Sequence, residues 1–179
     1  QTHAVFGVDP ETFQHIDVGK KRDASDTLAL MGVENYKRAS TIIKMIIAYE
    51  NGLSQSPKAG VSNDWVKQKY VEEIDKVLLQ ESVAVANRVY KTTKWQTGVI
   101  GAFFYVAVQN GQRRQITEFI DDMCLGRGTK ARAPVLFMLE NVNRMRMDRA
   151  YQLRAHQYGI ILSRAFYNYK AGKSSTKAD

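Results

Sequence analysis

Cysteine is nearly missing from this chain. Cys124 is the one thiol among 179 residues, so no disulfide can form within it. A reducing compartment is the direct expectation. Histidine is scarce as well: His3, His15 and His156 stand apart with no metal-ligand spacing, and no metal site is expected. Long apolar runs are absent. The longest, residues 99–108, is broken by Gly101 and is far short of the ~20 residues a membrane span needs. No signal-peptide pattern precedes the first apolar run. G-x-S-x-G, the P-loop, G-x-G-x-x-G and H-E-x-x-H do not occur, so no catalytic residue and no cofactor is assigned and the reading leans away from an enzyme. His15 and Asp17 form the one pair suited to acid-base work, and a surface helix end explains them equally well. The first residue is Gln1 rather than Met, which reads as an incomplete or processed chain.

Acidic residues are the minority charge. Lys and Arg number 26 against 18 Asp and Glu, a formal net charge of +8. A positive excess favours a polyanionic partner, and nucleic acid comes first among these. At 44% hydrophobic the chain can bury a proper core, so its charges belong to a surface and not to a disordered segment.

The order of patterns reads as mainly α, a multi-helix bundle with one short N-terminal β-strand. Residues 2–8, THAVFGV, are rich in β-formers; a lone strand is not stable in water, so it pairs with something upstream or lies as an arm on the helices. Asp9-Pro10 starts a short helix. Residues 33–51 alternate apolar and basic positions at helical period. Residues 53–61 are linker-like. Ser62 or Asn63 caps the next helix, and helical patterning resumes or continues through residues 71–91, with a break at Thr92-Thr93. Residues 95–109 are apolar on nearly every side, so this helix should be the most buried, with Gly98 and Gly101 admitting a close neighbour. Asn110-Gly111 makes a turn, residues 112–125 are amphipathic, and Pro134 opens another helix. Residues 143–169 read as one long basic helix. The organisation expected is 1–32 as strand and short helices, 33–172 as a helical domain, and 173–179 as a flexible tail.

Two basic groups carry the functional reading. Lys20, Lys21 and Arg22 follow Gly19 and precede a helix start, an arrangement suited to phosphate. Arg127, Lys130, Arg132, Arg144, Arg146 and Arg149 form the second group. Arginine dominates it, and arginine suits forked phosphate contacts. These nine residues are the expected nucleic-acid contacts. No RRM, KH or zinc-finger signature accompanies them.

Several strings, in order, resemble a known family. They are GVDPETFQHIDVGKKRDASDTLALMGVEN, then AYENG, then the SND cap, then ILSRAFYNYKAGK. Together they resemble phage and mobile-element proteins that join an N-terminal domain of the ParB/sulfiredoxin-like nuclease fold to a helical C-terminal region. The resemblance implies that residues 2–32 are the last piece of that α/β domain and the remainder its helical extension. The family's Asp-Gly-Gln-His-Arg-type stretch does not occur in this chain, so its nucleotide-handling residues are not carried over. The resemblance further implies a DNA-associated helical module in the cytoplasm of a bacterial host, without membrane contact. The alternative is a non-catalytic interaction or assembly component of a phage, a homo-oligomer or one bound to a protein partner. In that reading Trp65, Tyr90, Trp95, Tyr167 and Tyr169 form an exposed aromatic surface.

Overall fold

The computed structural model describes residues 23–51, 61–126, 133–147 and 153–173. The strand expected over 2–8, the Asp9-Pro10 helix start, the His15–Asp17 pair and residues 174–179 lie outside the described residues. Within them the chain forms eight α-helices and no strand, as the mainly α expectation requires.

Helix α1 (Ala24–Leu30) begins where Asp23 accepts backbone N–H bonds from Ser25 at 2.7 Å and Asp26 at 3.0 Å. The Asp26 carboxylate accepts the Asp23 N–H in return, at 3.1 Å, which closes a capping box. These bonds hold the Asp23 carboxyl below the usual aspartate range; the Ser25 hydroxyl is the largest cause. Ala24 and Leu28 of α1 enter the same core as α2 (Tyr36–Glu50). The expected helix over 33–51 thus starts three residues late. Val33 packs into the core, and Asn35 takes a left-handed backbone at φ 52° ahead of the first turn.

The helical pattern that resumes or continues over residues 71–91 does resume: the stretch is two helices, α3 (Asn63–Glu72) and α4 (Lys76–Thr93). The divide falls at Ile74-Asp75. Ile74 is buried, and Asp75 turns extended and caps α4 by accepting the Leu78 N–H at 3.0 Å. No Gly or Pro marks the divide, so the sequence carries no punctuation signal there. Lys69 joins α3 to α2. Only 7% exposed, it reaches Glu50 at 2.8 Å and also pairs with Glu73. Burial works against its charge, yet the two carboxylates outweigh burial and hold the ammonium above the ordinary lysine value.

Helix α5 (Thr97–Gln109) is the axis of the bundle, as its all-round apolar pattern predicts. It packs against α2, α4, α6 (Arg113–Leu125) and α8 (Ala155–Lys170). Gly98 lies over Thr41, and Gly101 lies over Ile42 and the Ser82 carbonyl. Gly111, at φ 71°, turns the chain after α5; its N–H bonds the Val108 carbonyl and the next N–H bonds Ala107.

Helix α7 runs over Pro134–Met147. The single long helix expected over 143–169 is therefore corrected: α7 contains residues 143–147, and α8 begins afresh at Ala155. The reason is local. Arg154 is extended, at φ −82° and ψ 159°, and its N–H donates to the Gln157 side chain at 2.7 Å, which restarts a helix. Edge-to-face rings lock α8 onto α5 and α6, with Phe166 standing between Phe103 and Phe119.

Tyr169 of α8 donates its hydroxyl to Asp122 of α6 at 3.0 Å. Burial first, then the Asp122 bond and the nearby negative charges, push its pKa from 10.0 to about 12. A group raised on folding stabilises the fold below its unfolded value and loses that contribution as pH climbs to the folded one. Unfolding free energy measured between pH 10.0 and about 12 should therefore fall with pH. The Tyr169→Phe variant should show a shallower fall across that window, and equal slopes would refute the assignment.

Candidate nucleic-acid interface

Lys20, Lys21, Arg22, Arg127, Lys130, Arg132 and Arg149 lie outside the described residues. Arg144 and Arg146 remain, both in the last turn of α7. Two positions apart on a helix, they point about 200° from one another, so the helix directs them to different sides. The Arg144 guanidinium donates to the Asn141 side chain of its own helix at 2.9 Å. The Arg146 guanidinium leaves α7 and donates to the Thr93 carbonyl, the last residue of α4, at 3.3 Å.

That bond brings Arg146 to a corner occupied by two lysines. Lys91 sits in the last turn of α4, and Lys94 is its C-cap. Lys94 holds a left-handed backbone, φ 58°, a conformation that costs a side-chain-bearing residue about 1–2 kcal/mol. The turn it makes sends Lys94 outward and Trp95 inward, where the indole packs edge-on against Tyr158 at 5.3 Å. Tyr90 completes the corner. Its ring is 44% exposed, and the Lys94 ammonium lies 5.4 Å from the ring centroid.

Charge pairing separates this corner from the arginines of α4 and α6. Arg88 is paired with Asp121 at 2.8 Å, Arg113 with Glu81 at 2.6 Å, and Arg114 with Glu118 at 2.9 Å. Lys91, Lys94 and Arg146 have no carboxylate within pairing distance among the described residues. A helix C-terminus carries roughly half a negative charge and attracts cations on its own account. Three cations against about half a charge leave the corner strongly positive. Helix capping therefore explains one of the three and not all of them.

Other features offer less chemistry. A cleft of about 260 Å³ opens near the start of α4, lined by Asp75, Val77, Leu78, Glu81, Val108, Gln109 and Arg113. Its Glu81 is neutralised by Arg113, and its Asp75 caps a helix. Cys124 is half-buried against the core, and His156 is half-buried at the start of α8. Among the described residues no group of three or more His, Cys, Asp or Glu could hold a metal ion, and no helix is long and apolar enough to cross a membrane.

The expected aromatic surface is only partly present. Trp95 is 1% exposed and belongs to the core, a correction that follows from the left-handed turn at Lys94. Tyr169 is half-buried on Asp122. Trp65, Tyr90 and Tyr167 are exposed, on three different helices. Sequence reasoning missed Lys91 and Lys94 because a lysine pair at a helix end is ordinary. The one available signal was the spacing K-T-T-K just before a buried tryptophan.

No protein-family model, curated protein or solved structure matches the chain. The reading of the corner rests on its geometry and charge.

Proposed function

We propose that this chain is a nucleic-acid-associating helical module whose described phosphate contacts are Lys91, Lys94 and Arg146. The observation that supports it is the convergence of three exposed cations with no carboxylate partner among the described residues on one corner, while every arginine of α4 and α6 is paired. Arg149 comes three residues after Arg146, and Arg127, Lys130 and Arg132 precede α7 in the sequence. They extend the same basic character on both sides of that helix. No reaction is part of this proposal. A DNA partner, as the family resemblance implies, remains part of it.

Phosphate contacts release counterions, so affinity falls with salt at a slope of about 0.9 per contact on a duplex. Three contacts predict a loss of roughly 40-fold between 50 and 200 mM salt. Fluorescence anisotropy with a labelled oligonucleotide measures it. Lys94→Gly is the discriminating variant. It removes one cation and also relieves the left-handed strain, so weaker binding cannot be ascribed to unfolding. The slope should shrink by about 1 in that variant. Wild-type binding without a salt slope, or a slope untouched by both Lys94→Gly and Lys91→Glu, would overturn the proposal.

A further inference from the structure

We infer that the corner takes an unpaired strand, with a base stacked on Tyr90 and its phosphates on Lys91, Lys94 and Arg146. This rests on the nucleic-acid reading above and specifies which form of nucleic acid the site selects. Tyr90 lies on the outer side of α4, 44% exposed, in the last turn of a helix whose inner residues Ala86 and Val89 are fully buried. Nothing in the core needs its ring there. Among the described residues no other aromatic ring packs on it. Its neighbours are cations: Lys91 next in sequence, Lys94 beside the ring at 5.4 Å, and Arg146 on the Thr93 carbonyl. Met147, the residue after Arg146 and the last of α7, is 87% exposed.

An exposed ring set among unpaired cations is the pairing of features that single-strand binders use. The charges hold the backbone, and the aromatic face accepts a base of any identity. A duplex keeps its bases stacked inside and offers phosphates alone. The corner offers three cations, footing for a short run of about three phosphates and not for a groove-length contact.

The experiment compares a single-stranded oligonucleotide with a duplex of equal length by anisotropy at several salt concentrations. The full chain is used as wild type, Tyr90→Ala, Tyr90→Phe and Lys91→Glu, with Tyr167→Ala as control. Tyr167 is also exposed, at 61%, but stands towards the far end of α8. The expected result is a single-strand preference that Tyr90→Ala lowers about tenfold, with duplex affinity and thermal unfolding unchanged. Tyr90→Phe should restore the preference, because it keeps the ring, and Lys91→Glu should weaken both substrates. Equal loss in Tyr167→Ala, or a Tyr90→Ala variant that keeps wild-type single-strand affinity, overturns the stacking role while Lys91→Glu still reports on phosphate binding. Indifference of both substrates to Lys91→Glu removes the nucleic-acid reading itself, and the stacked strand with it.

Discussion

Gly101→Val is expected to destabilise the protein by about 3 kcal/mol or more, read as a lowered denaturant midpoint. The reason lies in how α5 meets two helices at one point. A Cβ at residue 101 would collide with the Ile42 Cδ1, stand 2.6 Å from the Ile42 Cγ1 and 3.3 Å from the Ser82 carbonyl. Ile42 is fully buried in α2, so turning it means displacing other core side chains. Ser82 belongs to α4, so relief from one neighbour drives the new side chain into the other. A glycine in a helix interior forgoes about 1 kcal/mol against alanine, but that gain is smaller than the overpacking loss. Gly98 provides the contrast. Its added Cβ would meet the Thr41 Cγ2 at 2.5 Å, and Thr41 is exposed and can rotate at the expense of its bond to the Lys37 carbonyl. Gly98→Ala should change stability by less than about 1 kcal/mol, since the helix gain offsets the adjustment. Equal effects at the two glycines would show that the axis of the bundle is more loosely packed than these distances require.

Phe166→Ala is expected to cost about 4 kcal/mol, a large part of the 5–15 kcal/mol that holds an ordinary domain folded. The side chain is 4% exposed and stands between two rings, Phe103 at 5.4 Å and Phe119 at 5.3 Å, both edge-on. Truncation leaves a cavity where α5, α6 and α8 meet, and it removes two ring pairs worth about 0.5–1.5 kcal/mol each beyond their buried area. Phe119 also packs on Tyr169, so the loss spreads along α8. Thermal unfolding and hydrogen exchange at α8 amides measure it. A variant with wild-type protection at α8 would mean that Phe166 is not the anchor of that helix. Tyr169→Phe should cost far less, about 1 kcal/mol, because it gives up one hydrogen bond and keeps the ring.

Much of the helical body can be read from residue order because helix formation is local. The apolar side of α2, the all-apolar α5 and the Asn110-Gly111 turn follow from a 3.6-residue period and from glycine punctuation. The glycines of α5 were recognisable as places of close approach, since a missing side chain in an apolar helix has few other uses. One boundary was left open and one was missed, for a shared physical reason. At Ile74-Asp75 and at Leu153-Arg154 the chain breaks with no Gly or Pro to mark it, and side-chain caps restart the helix. Reading by punctuation is blind to a break that a side-chain cap makes without Gly or Pro.

The cationic corner lies beyond that kind of reading. Residue order dictates which faces are apolar, because burial is a demand each helix makes on its own residues. It does not dictate which exposed cations meet. Arg146 reaches the Thr93 carbonyl across 53 positions of chain, and nothing in either helix requires the other to end there. Trp95 illustrates the same limit: a large aromatic after a lysine pair reads as surface until the left-handed turn at Lys94 sends it inward. Composition shows that the protein carries excess positive charge. Packing chooses which cations pair with carboxylates and which are left free, because only the docking of one helix end on another brings groups so far apart in sequence within a few ångströms.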